Sequence, residues 1–218
     1  MLLVTCMVTL VFACLAYEGF CSSREAAPVS DVSTRPWAVV TGASSGLGAA
    51  IAQEAASRGY NTLIVARRKP KLAALSNNIV QGGTRCVIVE ADLARDDGIQ
   101  RVLRKADPLN IELVVLNAGI CRSGILSSQS AADVNAMLAL NVAGNVALLQ
   151  AFGARHLANK RRGRVLLIAS SAGAAPGVPG VAVYAACKAF LRSLAAGVGA
   201  ELRQSGVSVT CALPCGID

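Results

Sequence analysis

From Trp37 onward the chain alternates short apolar runs with longer stretches whose apolar residues recur at helical spacing. The runs WAVVT (37–41), NTLIVA (61–66), RCVIVE (85–90), ELVVLN (112–117), RVLLIA (164–169) and VSVTCA (207–212) are rich in Val and Ile and do not alternate with polar residues. Strands of that composition are buried on both faces, so each run predicts a strand inside a covered sheet. The cover lies between them. GLGAAIAQEAASRG, DDGIQRVLRKA, SAADVNAMLALNVAGNVALLQAFGARHLA and GVAVYAACKAFLRSLAAGVGAELRQSG carry helix-period apolar residues with Gly or Asp at their ends. Strands and helices in alternation predict a single α/β domain, a doubly wound parallel sheet with helices on both faces and ligands at the strands' carboxyl ends.

The N-terminal residues break this pattern. MLLVTCMVTLVFACLAY is an uncharged run followed by Glu18 and the polar, Pro-containing SSREAAPVSDVSTRP. The division expected is 1–21 as a signal peptide or membrane anchor, 22–35 as a linker, and 36–218 as the domain. Cleavage and retention both stay open. No Lys or Arg precedes the run, and only Cys14-Leu15-Ala16 and Gly19-Phe20-Cys21 resemble cleavage sites. Either reading sends the chain to the endoplasmic reticulum, endomembranes or the secretory pathway, with the first part of a plastid import signal as an alternative.

Composition narrows the classes. With 54% hydrophobic and 16% charged residues, the chain has material for a large core. The formal charge of +8 is scattered except for NKRRGR (159–164), and one Trp, three Tyr and four Phe leave little for a nucleic-acid surface. That run reads as a solvated turn between a helix and a strand, and no nucleic-acid partner is expected. Of the eight cysteines, Cys6, Cys14 and Cys21 fall in the leader; Cys86, Cys121, Cys187, Cys211 and Cys215 show no CxxC pairing. No metal site is expected from them or from the sole histidine, His156, which reads as a surface or hydrogen-bonded side chain.

The chemistry gathers after the strands. TGASSGLG follows the first run and opens a helix, and Gly42, Gly46 and Gly48 permit a tight turn and close approach to a pyrophosphate. Ser44, Ser45 and Leu47 lie in the same loop. After the second run, where a dinucleotide site that prefers NAD(H) carries an acid, stand Arg67 and Arg68. Guanidinium groups clamp a 2′-phosphate, so NADP(H) is preferred over NAD(H), with Arg67 nearest the strand end. Asp92, followed by Leu93, offers an acceptor to an adenine amino group or a cap for the next helix. Asn117, Ala118 and Gly119 are small residues where a ribose would press on the backbone. Tyr184 and Lys188 stand one helical turn apart after the fifth strand and its ASSAG, and an ammonium beside a phenol favours the phenolate. A tyrosine so placed is a workable acid or base, and a neighbouring serine hydroxyl can hold the substrate oxygen.

In this order and at these intervals, TGxxxGxG, NAG, a serine after the fifth strand and YxxxK are similar to the classical short-chain dehydrogenases/reductases, over about residues 36–218. The resemblance implies a Rossmann-like NAD(P)-binding domain that moves a hydride between nicotinamide and a carbonyl or secondary alcohol. It implies Tyr184 as proton donor or acceptor, Lys188 as the group that lowers its pKa and holds the nicotinamide ribose, and a serine that orients the carbonyl. Asn141, in LALNVAG, would support a water that relays protons to Lys188; read alone, it is a polar interruption of an apolar helix. Counting back from Tyr184 selects Ser171, while counting along the strand selects Ser170, the preferred assignment because a strand fixes register more firmly than a loop.

Departures from the family pattern set the rival reading. PGxxxT, whose backbone would meet the nicotinamide carboxamide, stands here as PCGID, with Cys215 at the glycine and Ile217 beyond it. Roughly 50 to 60 further family residues, including a substrate lid, would normally follow, so the domain is expected to be incomplete at its C-terminus, with an exposed sixth strand and reduced stability. Cys187 and Ser45 are further changes, the latter removing a phosphate contact that many NADP-preferring members have. One hypothesis is an NADP(H)-dependent oxidoreductase acting on a small, lipid-like carbonyl or alcohol, membrane-associated through its N-terminus and dimeric through helices 131–159 and 181–204. The alternative is a catalytically silent dinucleotide-binding or interaction protein.

Overall fold

A computed structural model of the chain describes residues 32–158 and 163–215. Lys160–Arg162, Ile217 and the leader of 1–21 lie outside the described residues. The elements are β1 (Trp37–Thr41), α1 (Gly46–Ser57), β2 (Asn61–Ala66), α2 (Lys69–Gln81), β3 (Cys86–Glu90), α3 (Asp96–Ala106), β4 (Ile111–Leu116), α4 (Ala131–Leu138), α5 (Asn145–Ala158), β5 (Gly163–Ile168), α6 (Ala182–Leu202) and β6 (Val207–Ala212). All six strands are parallel, in the order β3-β2-β1-β4-β5-β6. The order reverses between β1 and β4, and a crevice opens there at the strands' carboxyl ends.

Burial on both faces explains the strand sequences. Trp37 and Val39 join a core with Leu63, Val65, Val114, Leu148, Phe152 and Leu191, beneath α3, α5 and α6. Ala38 and Val40 point the other way, into a core with Ile51, Ala55, Ile64, Leu72 and Ile79 beneath α1 and α2. Leu72, Ile64 and Phe152 are fully buried, and truncating a leucine so placed to Ala costs about 2–5 kcal/mol.

Three features depart from the sequence pattern. Helix α2 has only Leu72, Leu75 and Ile79 buried among polar residues, and its Pro70 sits in the first turn, where a missing N–H costs little. The expected long helix of 130–158 is interrupted by a wide π turn, Ala139–Gly144, between α4 and α5. The whole stretch Ala131–Ala158 is long and apolar enough to pass for a membrane span, yet half of its apolar window is buried in the fold. His156 is buried, with its ring against Gly163. Arg164 lies in β5 and donates to the Tyr60 hydroxyl, so this member of the basic run is held in the fold and does not sit in a solvated turn.

Candidate active site

The crevice is built from its floor. Thr41, fully buried at the end of β1, donates through Oγ1 to Val115 O at 3.2 Å and accepts from Asn117 N at 2.9 Å and Ala118 N at 3.0 Å. One hydroxyl thus locks the glycine-rich loop to the segment after β4. Asn117 completes the lock, with Nδ2 donating to Thr41 O at 3.0 Å. Gly42 and Gly46 adopt positive φ of 68° and 55°. At Gly48 a Cβ would stand 2.4 Å from Asn117 Nδ2 and 2.5 Å from Gly42 O, so no side chain fits there. Thr41 was visible as the first letter of the loop motif, but its tie to Asn117 is a long-range contact that local spacing does not reveal.

A cavity of about 500 Å³ runs along this floor, lined by Gly42, Ser44, Ser45, Gly46, Leu47, Gly48, Arg67, Arg68, Asp92, Leu93, Asn117, Ala118 and Gly119. It brings together the expected loop, strand-end and NAG residues. Arg68, and not the strand-adjacent Arg67, folds back over the loop: Nε donates to Ser44 Oγ at 3.0 Å and a terminal nitrogen to Ser44 Oγ and Ser45 Oγ at 2.7 and 2.6 Å. Asp92 turns its carboxylate onto Ala94 N at 3.1 Å, while Arg95 occupies the N-cap position of α3 without a side-chain cap. The cavity suits a dinucleotide: glycine backbone lines one wall, and a cation stands at the end of β2.

A second cavity, of about 260 Å³, continues from the first through Leu47, Asn117, Gly119 and Ile120, and reaches Ser170, Tyr184, Lys188, Cys121 and Cys215. Tyr184 and Lys188 lie on one face of α6, and the Lys188 Nζ stands 5.6 Å from the centre of the Tyr184 ring. Lys188 is 4% exposed and donates to Ile168 O at 2.7 Å. Burial pulls its pKa down to about 8, against the smaller opposing influence of Cys211, Cys187 and Cys121. The phenol of Tyr184 moves the other way: burial raises its pKa above the ordinary value, and the hydrogen bond to Ser170 only partly opposes this. In the protein alone, desolvation of the phenol outweighs any lowering by the neighbouring Lys188 ammonium.

The adjacent Ser170 and Ser171 take different environments at the turn after β5. Ser170 lines the cavity and accepts from Ala172 N at 3.2 Å, while Ser171 is exposed and opens a 3₁₀ turn, Ser171–Gly173. Asn141, fully buried in the π turn, pairs with Ile120 in both directions, accepting from its N at 2.9 Å and donating to its O at 2.8 Å. Gly119 makes this approach feasible, since a Cβ there would lie 2.6 Å from Asn141 Oδ1. Asn145, three per cent exposed, is a participant the sequence did not suggest.

A glycine-lined cavity at the strand reversal, opening onto a tyrosine, a lysine and a serine, defines the class: NAD(P)-dependent dehydrogenases and reductases acting on a CH–OH group. Residues 36–218 match the short chain dehydrogenase family, and the chain belongs to it. It is 30% identical to the 17-beta-hydroxysteroid dehydrogenase type 3 of Rattus norvegicus over 97% of this chain and 70% of that protein. Among solved structures, the bulky-bulky ketone specific alcohol dehydrogenase from Comamonas testosteroni is similar with a TM-score of 0.80 and 32% identity, over 84% of this chain and 73% of that one. A short-chain dehydrogenase from Sphingobium yanoikuyae in complex with NADPH gives a TM-score of 0.79 and 33% identity, over 83% and 71%.

Proposed function

We propose that the protein is an NADP(H)-dependent oxidoreductase that interconverts a bulky, lipid-like ketone and its secondary alcohol. The observation that carries this reading is the continuity of the two cavities, which sets Tyr184, Ser170 and Lys188 at the end of a dinucleotide-shaped trough. When the cofactor is bound, Gly42, Gly46 and Gly48 would present backbone to its pyrophosphate, Arg67 and Arg68 would meet a 2′-phosphate, and Asp92 and Leu93 would border the adenine. NADPH, when bound, supplies the hydride. In carbonyl reduction Tyr184, held as a neutral phenol by burial, donates its proton to the substrate oxygen, and the Ser170 hydroxyl hydrogen-bonds that oxygen as charge develops on it. Lys188, charged below about pH 8, stabilises the resulting phenolate and holds the nicotinamide ribose, and Asn141 supports the proton path to it. A bulky ketone is favoured by the names of the rat and Comamonas relatives.

The test is a titration of the full chain with NADPH and NADH, followed by nicotinamide fluorescence. NADPH is expected to bind at least tenfold more tightly, and Arg68→Glu is expected to remove that preference, with a smaller effect from Arg67→Glu. Equal binding of both cofactors by the unaltered chain would overturn the NADP(H) assignment. Saturable binding without turnover of any bulky ketone would instead favour a silent dinucleotide-binding protein. The uncharged run of 1–17 supports endomembrane association, tested by fractionation of cells expressing the chain with and without it. Exposed Leu138, Leu157 and Phe190 on α4, α5 and α6 support homodimer formation.

A further inference from the structure

A π turn winds more widely than an α-helix and loosens its carbonyls from their usual N–H partners. In Ala139–Gly144 the deficit falls beside the site, and Asn145 meets it. Its Nδ2 donates to Asn141 O at 3.0 Å and to Leu140 O at 3.1 Å, and reaches across to Ala118 O at 3.4 Å. The last contact matters most, because Ala118 belongs to the segment that floors the larger cavity, and Thr41 holds its N–H from below. Asn141 adds its paired contact with Ile120 from the same turn. On the other flank the turn abuts the loop after β3, where a Cβ on Gly144 would stand 2.2 Å from Leu93 O. The wide turn is thus wedged between the adenosine-side loop and the segment Ala118–Ile120. Within that segment, a Cβ on Gly119 would lie 3.3 Å from Lys188 Nζ.

We propose that Asn145 is a positioning residue of the active site: its amide pins the π turn to the segment after β4 and so fixes the nicotinamide end of the trough beside Lys188. This inference rests on the cofactor reading above. The adenosine end is made by the glycine loop, Arg67, Arg68 and Asp92, none of which bonds Asn145. Loss of the amide leaves buried carbonyls short of a donor and loosens the turn from Ala118, while the packing of Gly144 on Leu93 O, which does not involve Asn145, keeps its hold on the adenosine-side loop.

Two probes separate the ends: 2′,5′-ADP, which fills only the adenosine end, and NADPH, which fills both. Asn145→Ala is expected to weaken NADPH about tenfold while leaving the affinity for 2′,5′-ADP within about twofold of wild type. It is also expected to lower kcat for ketone reduction and to shift the alkaline limb of the pH profile that Lys188 sets. Asn145→Ser should recover part of the loss, because a hydroxyl at that position can donate to the carbonyl four residues earlier, Asn141 O, but does not reach Ala118 O. Equal weakening of both probes, or no weakening of either, would overturn the proposal. Should the alanine chain fail to fold, the serine chain decides: NADPH weakened relative to 2′,5′-ADP supports the proposal, and wild-type affinity for both rejects it. A wild-type chain that binds neither probe overturns the cofactor reading itself and the inference with it, whereas wild-type binding with an indifferent Asn145→Ala overturns the inference alone.

Discussion

Lys188 is the residue at which function and stability conflict most directly. It is 4% exposed, has no carboxylate beside it among the described residues, and has its pKa lowered from 10.5 to about 8 in the folded chain. The unfolded chain therefore binds more protons between about pH 8 and 10.5, and stability must rise with pH across that window. Below it the full desolvation cost is present, on the order of 3 kcal/mol for a separation of this size. Lys188→Met removes the charge and keeps most of the volume. With the bond to Ile168 O lost, a net gain of about 1–2 kcal/mol is expected at pH 7 in urea denaturation, passing through zero as pH rises and becoming a net loss of about 1 kcal/mol by pH 10, with turnover abolished. A loss of stability at pH 7 would show that the buried ammonium is a net asset to the fold. The wild-type kcat/KM should fall as pH rises through about 8, as Lys188 loses its proton. The serines give a second residue-scale prediction: Ser170→Ala should lower kcat roughly a hundredfold and Ser171→Ala no more than about twofold, since only Ser170 faces the cavity. The reverse ranking in steady-state kinetics would reassign the hydroxyl.

Among elements, the contact between the loop after β5 and α6 decides whether Ser170 meets Tyr184. A Cβ on Gly173 would lie 2.6 Å from Lys188 C and 2.7 Å from Ala189 N, both backbone atoms that cannot turn aside. Gly173→Ala must lift the loop off the helix, with an expected loss of about 1–3 kcal/mol by thermal denaturation and a fall in kcat of at least tenfold. Gly197, on the same helix with nothing within 4 Å of its added Cβ, is the control: Gly197→Ala should stabilise by about 0.5–1 kcal/mol and leave kcat unchanged. Equal effects at the two positions would mean that helix propensity, and not the loop contact, governs. The same elements show what a sequence can disclose. The six strands were legible because burial on both faces writes an unbroken Val/Ile run, and Tyr184–Lys188 because one turn of helix fixes both. Helix α2 was hidden by its narrow stripe of Leu72, Leu75 and Ile79. Asn145 and the π turn were hidden for a different reason, since their partners Ala118 and Ile120 lie more than twenty residues away along the chain. The bonds from Arg68 to Ser44 and Ser45 were hidden as well, since they draw its guanidinium back over the loop in a contact that crosses two elements, while Arg67 lines the same cavity.

Across the whole molecule, the trough joins what the sheet order separates. One end is lined by loops after β1, β2 and β3, and the other by the ends of β4 and β5 and by α6, so a ligand that fills it bridges both halves of the sheet. Binding to the folded state alone stabilises by mass action, about 2.7 kcal/mol at a hundred times Kd. For a domain of this size each kcal/mol is worth roughly 2–4 °C, so saturating NADPH should raise Tm by about 5–10 °C in one cooperative transition. NADH at the same concentration should give a smaller shift, and Arg68→Glu should bring the two shifts together by reducing the NADPH shift. Calorimetry distinguishes this from local ordering: if NADPH sharpens only part of the transition, or splits it, the two halves of the sheet melt independently and the trough does not couple them. A single transition moved intact by NADPH would mean that the cofactor site and the fold share one cooperative unit, with the β1–β4 junction at its centre.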